Sequence, residues 1–273
     1  MKRTIVITGA GGVLCSEFAK YFGAKGDRVA LLNRTLEKAE AVAQEIRKNG
    51  GEAKAYACDV LNMESIEAAH AAVLRDFGPC DVLINGAGGN SPKCTTLHEY
   101  YEAGDADTKD FLTFFNIMPE DFDAVFNLNI KGALMTSQVF MKDMLGRKGN
   151  VLNISSMNAF RPLTKIPAYS AAKAGLSNFT EWLAVHFAKE GIRVNAIAPG
   201  FFATEQNRAL LFNPDGTPTA RTGKILAATP MGRFGDPKDL LGAVDLFTDD
   251  TKAAFITGVV LPIDGGFSAY SGV

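Results

Sequence analysis

The sequence predicts an α/β protein of one domain, residues 1–273, built on a doubly wound, mostly parallel sheet with helices on both faces. Three observations predict it. Short apolar, β-branched runs alternate with longer helical patterns along the chain. Those runs are apolar at consecutive positions, as strands buried on both faces must be. No interdomain linker, internal repeat or low-complexity tract interrupts the alternation.

Taken in order, Thr4–Thr8 is the first strand, a β-branched run that the glycines at 9, 11 and 12 terminate. A helix over 14–25 leads to a second apolar run, Arg28–Leu32. The segment 35–49 reads as the next helix. Strand Ala53–Cys58, helix 62–77 and strand Val82–Asn85 repeat the unit. A long helix over 119–146 then precedes strand Asn150–Ser155, and a helix over 168–190 precedes strand Arg193–Ala198. Helix 237–248 and strand Gly258–Pro262 complete the pattern.

Two segments break the rhythm. Residues 88–118 and 200–235 lack a strand and carry clusters of Gly, Pro, Asn and Asp. Each directly follows a strand, so each leaves the carboxyl edge of the sheet, where open α/β folds bind ligands. Long irregular loops in a compact domain are commonly functional, and both retain aromatic and aliphatic residues. They are expected to cover an active site.

Composition narrows the partners. A net charge of −2 with dispersed signs argues against nucleic acid or an anionic membrane. The four cysteines form no C-x-x-C pair and no ligand spacing with the three histidines, so no metal is expected and the thiols read as reduced. The apolar run Ile5–Ile7 is cut by Gly9, too early for a signal peptide, and nothing is long enough to span a membrane. A cytoplasmic location is the expectation.

The most informative local pattern is Tyr169-Ser-Ala-Ala-Lys173 within a predicted helix. Four residues apart, the two side chains share one face. A phenol with an ordinary pKa of about 10 exchanges protons poorly at neutral pH, and an adjacent ammonium is expected to lower it. Carbonyl reduction needs a hydride donor, a proton donor beside the developing alkoxide, and hydrogen bonds that stabilise it. The first strand runs into Thr8-Gly9-Ala10-Gly11-Gly12-Val13-Leu14 and a helix. Glycines at such a turn let the backbone approach a pyrophosphate that the helix N-terminus attracts.

Together these motifs resemble the short-chain dehydrogenase/reductase family, over nearly the whole chain and in the family's order. Against the pattern T-G-x-x-x-G-x-G, Thr8 and Gly9 agree, while Val13 and Cys15 stand at the second and third glycines. Gly11 and Gly12 are expected to supply the permissive backbone instead, because a β-branched residue at positive φ is costly. Asp59-Val60 resembles the adenine-contacting pair. Asn85-Gly86-Ala87-Gly88 resembles N-N-A-G with one Asn replaced, and Pro199-Gly200, with Phe202 and Thr204 following, resembles the segment that holds a nicotinamide carboxamide.

The resemblance implies a Rossmann-like fold, NAD(P)-dependent oxidation or reduction at a CH-OH group, and a homotetramer. It implies Asn129, Ser156, Tyr169 and Lys173 as the catalytic set. Tyr169 would be the proton donor, Ser156 a hydrogen-bond donor to the substrate oxygen, Lys173 a ligand of the nicotinamide ribose, and Asn129 the holder of a water. Ser156 is preferred to Ser155 on its interval to Tyr169. Cofactor contacts would come from Gly9, Gly12, Val13, Leu14, Asn33, Arg34, Asp59, Val60, Asn85, Ala87, Gly88, Tyr169, Lys173, Pro199, Gly200, Phe202 and Thr204. Asn33-Arg34 closes the second strand where an NAD enzyme would carry an acid, so NADP(H) is favoured and NAD(H) is possible.

Within the family, the segments 88–90, 157–165, 199–208 and 265–273 resemble the D-mannonate oxidoreductase (fructuronate reductase) branch. A hexuronate presents a carboxylate and several hydroxyls. Asn90, Ser156, Asn158, Arg161 and Tyr169 are the expected substrate residues, with Lys165 and Arg208 as further donors. Gluconate 5-dehydrogenase, or another polyol or ketone reductase, is the alternative activity. A nucleotide-sensing protein without turnover is the alternative of another class.

Overall fold

The structure is a computed structural model and describes residues 2–203 and 211–272. Seven parallel strands, β1 (Thr4–Thr8), β2 (Arg28–Asn33), β3 (Glu52–Ala57), β4 (Val82–Asn85), β5 (Gly149–Ile154), β6 (Ile192–Pro199) and β7 (Val260–Ile263), form one sheet. Its order is β3-β2-β1-β4-β5-β6-β7. The chain starts in the middle, winds outward through β2 and β3, then returns to the far side of β1. That reversal lies between β1 and β4, with Thr8 opposite Asn85.

Alternate strand residues feed two cores. Ile5, Ile7, Leu31 and Ile84 pack under α1 (Val13–Ala24), α2 (Leu36–Lys48) and the last helix, with Phe18, Phe22, Ile46 and Phe247. Val6, Ala30, Leu32 and Leu83 face the other layer. There α3 (Met63–Phe77), α5 (Gly132–Phe140) and α6 (Pro167–His186) bring Ile66, Phe140 and Leu183. Consecutive positions of the central strands are therefore buried because both faces are covered, whereas edge strand β3 alternates.

Strand positions agree with the sequence pattern to within two residues. Gly258, at φ 77°, belongs to the turn before β7. The helix expected over 119–146 is broken into α4 (Pro119–Phe126), a π turn (Asn127–Lys131), α5 and a 3₁₀ turn (Met141–Met144). The one expected over 168–190 ends at His186, and 237–248 begins as a 3₁₀ turn capped by Asp236 before α8 (Leu241–Thr248). Within 200–235 the chain forms an unforeseen helix, α7 (Ala220–Ala227), capped by Thr219 and anchored by buried Thr222 and Ile225. Two anchors and a central Gly223 leave no apolar stripe to read.

Candidate active site

A cleft of about 510 Å³ opens beyond β1 and β4, where the strand order reverses. Its nucleotide-facing wall is the turn from β1 into α1. Gly9 has φ 66° and approaches the turn after β4 so closely that an added Cβ would lie 2.9 Å from Ala87 Cα. Gly12 N–H donates to Gly9 O at 2.9 Å and is the N-cap of α1, with no side chain capping it. Backbone N–H groups left at a helix start attract an anion.

The expectation that Gly11 and Gly12 supply left-handed backbone is corrected, since neither has positive φ and only Gly9 does in this turn. Val13 begins the helix and carries no strain. Gly11 is needed for space, because a Cβ there would lie 2.6 Å from Lys38 Cβ. A dinucleotide fits this cradle: its wall is bare backbone, and Asp59 and Val60 line the same cleft.

Gly9, Gly12, Val13, Leu14, Asn33, Arg34, Asp59, Val60, Ala87 and Gly88 all line the cleft. So do Cys15, Thr35, Lys38, Leu128 and Ile154, which sequence reasoning did not select. Lys38 had a signal, as a second cation four residues after Arg34. Asn33 shapes the rim by accepting from Gly11 N–H at 3.4 Å and donating to Thr35 O at 2.8 Å. Asn85 does not contribute its side chain. Buried between strands, its amide donates to Ser137 Oγ and Asn153 Oδ1 and accepts from Thr136 Oγ1.

Pro199, Gly200 and Phe202 lie apart from this cleft, at the carboxyl end of β6. Gly200 N–H donates to Ile263 O at 3.0 Å, and a Cβ on Gly200 would meet Asp264 Cα at 2.6 Å. Phe202 lines a neighbouring cavity of about 380 Å³ with Phe201, Met231 and Gly265. Thr204 and Arg208 lie outside the described residues.

The four expected catalytic residues come from three elements. Ser156 follows β5; its hydroxyl accepts from Asn158 N–H at 3.3 Å and stands near enough to Tyr169 to favour the ionised phenol. Ser155 is not equivalent, as its hydroxyl is engaged by Ser177 Oγ at 2.8 Å and Lys173 O at 3.2 Å. Lys173, one turn beyond Tyr169 on α6, is 4% exposed and donates to Ile154 O at 2.7 Å. Its Nζ lies 5.6 Å from the centroid of the Tyr169 ring.

Burial overrides the expected electrostatics here. The Tyr169 phenol is pushed up by desolvation, which neighbouring Ser156 offsets only in part, and the Lys173 ammonium is pulled down to about 8 by the same cause. The depression of Tyr169 by Lys173 expected from sequence is therefore corrected: removing both groups from water disfavours each charged form.

Asn129 owes its position to the π turn. Such a turn shifts backbone pairing from i−4 to i−5, and the Val125 carbonyl accepts from Asn129 Nδ2 at 2.7 Å. The same amide donates to Gly89 O at 2.7 Å and accepts from Gly89 N–H at 3.1 Å. A Cβ on Gly88 would lie 2.6 Å from Asn129 Oδ1 and 3.2 Å from Lys173 Nζ. Gly88, Asn129 and Lys173 thus converge.

The expected substrate residues are more dispersed. Asn158 is buried and its Oδ1 has no hydrogen-bond partner among the described residues. Arg161 is exposed, and its Nε donates to Ser268 O at 3.2 Å, joining the loop after β5 to the C-terminal segment. Exposed Asn90 donates to Thr95 Oγ1 at 2.9 Å. Residues 88–118 are held beside the catalytic loop by Thr96 N–H on Lys165 O, and Lys224 of α7 pairs with Glu99 at 3.0 Å. Among the described residues no cluster of His, Cys, Asp or Glu could hold a metal ion, and no helix is long and apolar enough to cross a membrane.

A parallel sheet reversing over a glycine turn, with Ser, Tyr and Lys at its carboxyl edge, defines a dinucleotide-dependent oxidoreductase. A family model described as short chain dehydrogenase matches residues 3–213, and the chain belongs to that family. It is 56% identical over 272 residues to an uncharacterized oxidoreductase of Haemophilus influenzae, covering 99% of this chain and 95% of that one. A crystal structure from Haemophilus influenzae, provisionally assigned as a D-mannonate oxidoreductase and holding NAD, superposes with a TM-score of 0.96 at 56% identity. The match covers 99% of this chain and 96% of that one. A gluconate 5-dehydrogenase from Burkholderia cenocepacia J2315, in complex with NADP and tartrate, is more distant. It gives 26% identity and a TM-score of 0.84 over 99% and 97% of the two chains. The protein is an NAD(P)-dependent oxidoreductase acting on CH-OH groups.

Proposed function

We propose that the protein interconverts D-fructuronate and D-mannonate, with Asn129, Ser156, Tyr169 and Lys173 as its catalytic set. The observation that carries the chemistry is Tyr169 standing beside Ser156, one helical turn from buried Lys173. A bound nicotinamide supplies or accepts the hydride. Ser156 holds the substrate oxygen, and the Tyr169 phenol passes its proton to that oxygen as charge develops there. A phenol that burial keeps protonated is ready to donate. Lys173 and the Asn129–Gly89 contact hold the backbone beside it in place.

The substrate class rests on the 56% identical relative provisionally assigned as a D-mannonate oxidoreductase, and on polar groups of the loop after β5 and of the 88–118 segment. Arg161 offers the rest of its guanidinium to a carboxylate, Asn158 an amide to a hydroxyl, and Asn90 stands at the start of the 88–118 segment. The Lys224–Glu99 ion pair, which joins described parts of the 88–118 and 200–235 segments, supports the reading that these segments cover the site. Purified protein should consume reduced nicotinamide with D-fructuronate faster than with 5-ketogluconate or a neutral keto sugar. Preference for 5-ketogluconate would instead select the gluconate 5-dehydrogenase reading.

For the cofactor, Arg34 and Lys38 at the rim, with Asn33 in place of an acid, support NADP(H). The NAD held by the closely similar structure supports NAD(H) as a second reading. A homotetramer in the cytoplasm completes the proposal. An apolar trough between α5 and α6, lined by Leu134, Leu145, Phe179 and Trp182, supports assembly. Trp182 is 56% exposed on it. Trp182→Glu should lower the assembly mass seen by light scattering, and an unchanged mass would remove the trough from the interface.

A further inference from the structure

Two of the departures from the family pattern that line the cleft, Cys15 and Gly86, are one feature. Cys15 stands at the third glycine of the first turn, and Gly86 replaces an asparagine of the later segment. A glycine at the first of these positions serves to let the helix pack closely on the sheet. In this chain the small residue is on the other side of the contact. Cys15 is 3% exposed, and a Cβ built on Gly86 would lie 2.1 Å from its Sγ.

The Gly86–Gly88 backbone has little freedom to move away. Thr8 Oγ1 accepts from the N–H groups of Gly86 and Ala87 at 3.1 and 3.2 Å. Ala87 is in turn packed against Gly9, and Gly88 against Asn129 Oδ1 and Lys173 Nζ. Any side chain at 86 must therefore displace Cys15, or push the 86–88 backbone against these neighbours. Desolvation pushes the Cys15 thiol up to about 12, so it fills space as a neutral group.

We infer that Cys15 and Gly86 are a size-matched pair of positioning residues that sets the 86–88 backbone, and through it Lys173 and Asn129, under the dinucleotide site. Each residue is tolerated because of the other.

The test is a double-mutant cycle of Gly86→Ala, Cys15→Gly and the double variant, read by dinucleotide affinity, the pH profile of kcat and urea unfolding. Gly86→Ala should weaken dinucleotide binding by about tenfold or more, as overpacking does, and shift the pH profile. Cys15→Gly should weaken it less. The double variant should recover most of the Gly86→Ala loss and the wild-type profile. Recovery stays incomplete because the new Cβ also lies 2.9 Å from Thr8 O. Should Gly86→Ala alone not fold, the double variant should fold and bind. Losses that simply add, a double variant that does not fold, or a pH profile that Gly86→Ala leaves unmoved would overturn the pairing.

Discussion

Lys173→Met removes a buried ammonium while keeping an unbranched side chain, and its consequence is most visible as a change in the pH dependence of stability. The folded protein holds Lys173 at about 8 against an ordinary 10.5. At about 1.4 kcal/mol per pK unit, this corresponds to about 3 kcal/mol. The folded-state value is depressed, so between pH 8 and 10.5 the unfolded chain binds more protons. Wild-type stability therefore rises with pH across that window, and the whole penalty is present below it. The variant is free of the penalty but deprives Ile154 O of a charged donor, a loss of about 1–3 kcal/mol. Near pH 7 the two effects largely cancel. From pH 7 to 10.5 the wild type should gain about 3 kcal/mol relative to Lys173→Met. Urea unfolding at fixed protomer concentration measures it, and other titrating groups cancel in the difference. A difference that stays constant with pH would refute the claim that burial governs Lys173.

Tyr169→Phe deletes the hydroxyl and keeps the ring, so turnover should fall by about a hundredfold or more while dinucleotide affinity stays within a few fold; near-wild-type turnover would remove Tyr169 as the acid. Arg34→Ala should raise the KM for NADPH by about tenfold, the value of a lost charge-assisted hydrogen bond, and barely alter that for NADH. Equal effects on both cofactors, or a wild-type preference for NADH, would favour the NAD(H) reading. Arg161→Leu should impair reduction of fructuronate far more than that of a neutral keto sugar, with dinucleotide affinity nearly unchanged. Equal losses on the two substrates would assign Arg161 to its contact with Ser268 O alone.

What the sequence determined is whatever rests on local pattern. Seven short runs became seven strands, and in the central ones consecutive apolar residues suit a sheet covered on both faces, while β3 at the edge alternates in burial. Thr8-Gly9 and the Tyr169–Lys173 spacing were legible because a turn and a helical repeat place neighbours in space by themselves. Arg34 was legible as the rim cation because it closes a strand. The tertiary structure decided what depends on distant neighbours. The π turn that aims Asn129 answers to Gly89, forty residues away, and α7 is anchored by two residues too few to mark a periodicity. Asn85, read as a cofactor ligand from its motif, is claimed by Asn153, Ser137 and Thr136. The protonation of Tyr169 and Lys173 followed the same logic. Helical spacing brings a phenol and an ammonium together, but only packing determines how much water is left to them, and at this site desolvation outweighs their proximity.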